Sequence, residues 1–140
     1  MSLKNNVALV TGAGSGIGRQ ISLTLAARGA HIAICDINMD GAEETKKEIE
    51  AAGGAEAACF HMDVTSEQEV NSATDAIAKK FGRIDTLVSN AGIQIVHPIE
   101  EFPYDAFRKL VAIHLDGAFL TTKAAVKYMY PQKSGSLIYM

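Results

Sequence analysis

The alternation of hydrophobic periods along this chain is the strongest constraint on its fold. Five short apolar runs, rich in β-branched residues, are separated by segments whose apolar residues recur at helical spacing. The runs are VALVTG (7–12), HIAICDI (31–37), AEAACFHMDV (55–64), IDTLVSNAG (84–92) and SLIYM (136–140). Strands this continuously apolar are buried on both faces. Their alternation with helices predicts an α/β fold in which a parallel sheet carries helices on both sides. No linker, repeat or low-complexity tract interrupts the pattern, so residues 1–140 read as one domain.

The helical segments differ in what they bury. In the first, Ile17, Ile21, Leu25 and Arg28 share a face, and Gly29 supplies a stop. The second, 40–52, is polar, with Glu43 and Lys47 spaced for an ion pair, and reads as exposed. Ser66 and Glu69 form a capping box that opens a third helix, with Val70, Ala73, Ile77 and Phe81 on one face. The fourth, about 104–130, ends at Pro131. Phe107, Val111, His114 and Ala118 lie on one of its faces, and Leu110, Ile113, Gly117 and Leu120 on another. A helix apolar nearly all round is buried on two sides, one by the sheet and the other by a further helix or a second subunit.

Charge and cysteine content exclude several classes. A net charge of −3 opposes nucleic-acid binding, which needs a concentrated basic surface. No apolar stretch is long enough to span a bilayer, and glycines interrupt the N-terminal apolar run too early for a signal peptide. Cys35 and Cys59 are too few for a disulfide scaffold and suit reduced, half-buried thiols in a cytoplasmic protein. The four histidines lack ligand spacing, so no metal is expected.

The first strand runs into TGAGSGIG (11–18). Ile17 breaks the common G-x-G-x-x-G dinucleotide pattern, and Arg19 after Gly18 does not make the G-K of a triphosphate loop. T-G-x-x-x-G-I-G fits instead, through Gly12, Ser15, Gly16, Ile17 and Gly18. Gly12 permits a turn, Gly16 allows close approach to a diphosphate, and Gly18 lets the helix start pack on the strand. The free N–H groups and positive dipole end of that helix then face an anion. A ligand-free βα turn is the alternative. Asp36 ends the second run, eighteen residues beyond Gly18. A carboxylate there accepts hydrogen bonds from an adenosine ribose, or caps a turn. Asp63 and Val64 end the third run beside the expected adenine, and Asn90, Ala91 and Gly92 end the fourth at the carboxyl edge where such sheets bind ligands.

In combination, TGAGSGIG, Asp36, Asp63-Val64 and Asn90-Ala91-Gly92 resemble the short-chain dehydrogenase/reductase family over the whole chain. The resemblance implies a doubly wound Rossmann sheet of order 3-2-1-4-5, with more to follow. It also implies hydride transfer between a nicotinamide and an alcohol or carbonyl carbon. Asp36 would bond a free 2′-hydroxyl and repel a 2′-phosphate. Where NADP-preferring members often carry a basic residue, this chain has Ser15 and Ile37, so NAD is the expected cofactor.

The family's proton-transfer machinery is a serine after the fifth strand and a Tyr-x-x-x-Lys pair. Arg108, Gln132 and Ser134 stand four residues after Tyr104, Tyr128 and Tyr130, so the pair is absent from these 140 residues. Without it, catalysis falls by the roughly 10²–10⁴-fold that acid–base chemistry supplies. The chain therefore reads as the cofactor-binding half of a longer enzyme, incomplete relative to the family. In the long helix, IHLDGAF places His114 where the family has an asparagine that positions a relay water. Histidine can pass a proton there, or be a core residue satisfied by backbone. NAGIQ followed by HPIEEFP resembles the D-3-hydroxybutyrate dehydrogenase branch, in which the residue matching Gln94 holds the substrate carboxylate. A solvated loop glutamine is the other reading. A short hydroxy acid is thus the expected substrate, other secondary alcohols and sugars being the alternatives. A homo-oligomer through 104–130 is the expected assembly. A non-catalytic nucleotide-binding module is the competing function. A signalling receiver would need an acidic pair where TGAGSG stands.

Overall fold

A computed structural model describes residues 2–140. Five parallel strands form one sheet: β1 (Val7–Thr11), β2 (His31–Asp36), β3 (Ala57–His61), β4 (Thr86–Ser89) and β5 (Ser136–Tyr139). Their order is β3-β2-β1-β4-β5, the doubly wound arrangement. The helices are α1 (Gly16–Ala27), α2 (Met39–Ala51), α3 (Glu67–Phe81), α4 (Tyr104–Val111) and α5 (Gly117–Gln132). A 3₁₀ turn spans Ile99–Glu101, and a π-helical turn, Ala112–Asp116, joins α4 to α5.

Alternation along β1 builds two cores. Val7 and Leu9 face a cluster under α3 and α5 that includes Val70, Ile77, Ala125 and Met129. Ala8 and Val10 face the other, under α1 and α2, with Ile32, Ile34, Ala42 and Ile49. Because the sheet is covered on both sides, the central strands are near-continuously apolar between their polar ends, the pattern visible in the sequence.

Several local expectations are corrected. Of the expected α1 face, Ile21 and Leu25 pack half-buried against the core but Ile17 is 65% exposed, and the fully buried residues are Gly18, Ser22 and Ala26. Small residues take those positions because the helix lies close to the strand below it. On α2 the ion pairs run from Lys46 to Glu43 and Glu50 rather than from Glu43 to Lys47. This helix also buries Gly41, Ala42, Thr45 and Ile49. Ser66 caps α3 by accepting from the Glu69 N–H at 3.3 Å, but the Glu69 carboxylate accepts from the Asp63 N–H and lies 3.0 Å from His61 Nδ1, so the box closes on one side only. Pro131 lies inside the last turn of α5, and the stop is Lys133 in the left-handed region at φ 54°.

The helix from 104 to 132 packs on one side. Gly117, Thr121, Ala124, Ala125 and Met129 are buried, whereas Phe107, Leu115 and Phe119 remain 49%, 66% and 63% exposed. Among the described residues β5 pairs only with β4, and all four of its residues are exposed rather than buried. Among the described residues, no helix is long and apolar enough to cross a membrane.

Candidate active-site cleft

Parallel strands deliver their carboxyl ends to one edge, so the residues just after β1, β2, β3 and β4 meet there. They line an open cleft of about 560 Å³. The wall after β1 is Gly12, Ser15, Gly16 and Ile17. Ser15 is the N-cap of α1 and makes no side-chain capping bond, so the first N–H groups of the helix keep no local side-chain acceptor. Gly16 has φ 52° and nothing within 4 Å of where a Cβ would stand: its missing side chain is open space. This is a turn that an anion can approach to backbone distance.

Gly18 does not line the cleft. A Cβ on it would lie 2.2 Å from the Gly12 carbonyl oxygen and 2.6 Å from Asn90 Nδ2, so its absence lets the helix start sit directly on the turn. The turn is fastened from the other side by Thr11 and Asn90. The Thr11 hydroxyl accepts from the N–H groups of Asn90 and Ala91, each at 3.0 Å. The Asn90 side-chain amide donates to the carbonyls of Thr11 at 2.9 Å and Gly12 at 3.3 Å. Asn90 therefore shapes the cleft through the glycine turn, while Ala91 and Gly92 continue the wall after β4.

Asp36 is aimed at the glycine turn. Its Oδ2 accepts from the Gly14 N–H at 2.8 Å, and Oδ1 accepts from the Asn38 N–H at 2.9 Å. Both oxygens are thereby oriented, and the residue still borders the cleft beside Ile37. Asp63 and Val64 lie just beyond β3 rather than within it, and both border the cleft. Asp63 Oδ1 accepts from the Thr65 N–H and hydroxyl, fixing a turn.

Gln94 and His114 occupy the far end, which Ile93, Ile113 and Met140 complete. His114 sits in the π-helical turn, is exposed, and brings Nε2 to 2.8 Å from the Ile93 carbonyl and 3.2 Å from the Ile93 nitrogen. A Cβ on Gly92 would stand 2.6 Å from its ring. It is thus bonded to backbone, but at the rim and not in the core. The π-helical turn and the Ile93 contact were not legible from heptad-like spacing, because a π turn inserts a residue without changing composition.

The comparisons with known proteins agree with this fold. The family model for short chain dehydrogenase matches residues 6–140, and the chain belongs to that family. It is 41% identical over 138 residues to the D-threitol dehydrogenase of Mycolicibacterium smegmatis, covering 99% of this chain and 53% of that protein. It is 38% identical over 136 residues to the levodione reductase of Leifsonia aquatica, covering 96% and 51%. An NAD+-bound xylitol dehydrogenase structure superposes with a TM-score of 0.95 at 36% identity, over 99% of this chain and 54% of the other. The chain spans about half the length of the curated relatives it matches.

Proposed function

We propose that these residues form the NAD-binding part of an oxidoreductase that interconverts a secondary alcohol and a ketone. The observation that carries this is the Asp36 carboxylate, pinned beside an open glycine turn on the wall of one cleft. The cleft fits a dinucleotide: Gly16 leaves room for a diphosphate, and the start of α1 offers N–H groups to it. Asp36 accepts from the adenosine ribose, and its charge disfavours a 2′-phosphate. Asp63 and Val64 flank the base, and Ala91 and Gly92 support the middle of the molecule. When bound, the nicotinamide supplies the hydride chemistry. With no Tyr-x-x-x-Lys among them, the 140 residues are assigned binding and orientation rather than proton transfer, and alone they are expected to be inactive.

Within this class the substrate is a small polar molecule. Gln94 on the rim, a neutral amide donor, favours a short hydroxy acid of the 3-hydroxybutyrate type. The relatives that act on D-threitol and xylitol by name favour a polyol as the second reading. The exposed Phe107, Leu115 and Phe119 support self-association through the 104–132 helix.

Calorimetric titration with NAD and NADP tests the cofactor assignment. Saturable binding of NAD, tighter than NADP, is expected. No binding of either, or tighter NADP, would overturn it.

A further inference from the structure

The back of the glycine turn is stitched to α2 by one residue, Arg19. Its guanidinium donates from Nε to the Thr45 hydroxyl at 3.0 Å and from Nη2 to the Gly14 carbonyl at 2.7 Å. Glu44 and Glu48 take further N–H groups at 2.9 and 3.1 Å. Those two carboxylates are 65% and 48% exposed, so their pairing contributes little. The bonds to Gly14 and Thr45 lie in the part-buried seam, where a charge-assisted hydrogen bond is strong. Thr45 in turn donates toward the Ala13 carbonyl at 2.9 Å.

Gly14, itself buried, joins this seam to Asp36, which lines the cleft. Arg19 holds its carbonyl, and its N–H holds Asp36 Oδ2 at 2.8 Å. The chain closes on itself, because Asp36 also accepts from the Asn38 N–H, and Asn38 caps α2 through the Gly41 N–H at 3.2 Å. The clearance is small: a Cβ on Gly41 would lie 2.7 Å from the Gly14 oxygen. A shift of the Gly14 peptide therefore moves the carboxylate.

We propose that Arg19 is a positioning residue for nucleotide selection: by fixing the Gly14 peptide it fixes the Asp36 carboxylate that distinguishes a free ribose hydroxyl from a phosphorylated one. This rests on the NAD reading above. All three guanidinium nitrogens are engaged behind the turn, which holds the group away from a 2′-phosphate. Lysine cannot reproduce the fork, since it offers a point charge on a flexible stem.

The test compares the parent protein with Arg19→Met and Arg19→Lys by calorimetry with NAD, NADP and nicotinamide mononucleotide, alongside melting temperatures. In both variants NAD should bind about tenfold more weakly, on the scale of one charged hydrogen bond. The ratio of NADP to NAD dissociation constants should fall, while nicotinamide mononucleotide, which lacks the adenosine ribose, binds as in the parent. A purely structural role would weaken all three ligands together. If Arg19→Met does not fold, Arg19→Lys decides the matter. An unchanged NADP-to-NAD ratio in the folded variants overturns the proposal. A parent that binds no NAD removes the reading beneath it instead.

Discussion

Gly16 and Gly18, two residues apart, should fail in opposite ways when given a methyl group. Gly18→Ala would place a Cβ 2.2 Å from the Gly12 oxygen and 2.6 Å from Asn90 Nδ2. Rotamer change cannot relieve a clash with backbone, so α1 must lift from the turn. Overpacking of this kind costs about 1–3 kcal/mol. The displaced Asn90 amide would also lose its bonds to Thr11 and Gly12, at about 1 kcal/mol each. Together that is about 3–5 kcal/mol. At roughly 2 cal/mol/K per residue, a 140-residue domain has an unfolding entropy near 0.3 kcal/mol/K. The melting temperature should therefore fall by about 10–17 °C. Gly16→Ala meets no atom and pays only the left-handed backbone strain at φ 52°, about 1–2 kcal/mol, or roughly 3–6 °C. Its methyl group enters the cleft, so NAD affinity should drop about tenfold or more. Thermal denaturation and calorimetry on both variants check this. A Gly18→Ala protein melting within about 3 °C of the parent, or below which Gly16→Ala melts, would refute the packing argument.

Other consequences are as direct. Thr11→Val removes the acceptor of two N–H groups at a site that is 1% exposed, and should lower stability by roughly 2–4 kcal/mol in denaturant titration. Burial pushes the Cys35 thiol up, and burial followed by the Glu43 carboxylate pushes Cys59 up to about 12. Both should react slowly with an aromatic disulfide reagent at pH 8 until the protein is unfolded; rapid labelling of native Cys35 would contradict this. Because these thiols stay protonated in the fold where unfolded thiols ionise, stability should fall as pH rises above the ordinary thiol range, and less so in Cys35→Ala. The Tyr128 hydroxyl, then Lys127, hold the Asp75 carboxyl below its usual range. Its contribution is present above that range and is lost as pH falls through the depressed value, so Asp75→Asn should flatten the acid limb of a melting-temperature profile, slightly, since the group is exposed.

The sheet and most of the cleft were legible because they follow from periodicity and from residues placed at strand ends. Asp36, Asp63 and Asn90 sit where a parallel strand must hand over to a loop, so their positions in sequence fixed their positions in space. What escaped was set by distance rather than pattern. The fully buried positions of α1 are Gly18, Ser22 and Ala26, because close packing favours small residues, while the periodic Ile21 and Leu25 pack half-buried beside them. In sequence Arg19 reads only as a mismatch to a triphosphate loop, since apart from the Gly14 carbonyl its partners lie on α2, with Glu44 and Glu48 lying 25 and 29 residues away. The ring of His114 meets Ile93 across 21 residues, through a π turn that no spacing rule announces.

That π turn has a further effect on the helix it interrupts. It carries one residue more than regular winding needs, so side chains in α4 and α5 are offset by about 100° from the phase a continuous helix would give them. The two halves therefore answer to different surroundings: α4 buries no residue, so substitutions before Ala112 should leave the Gly117–Thr121–Ala125 ridge seated on the sheet.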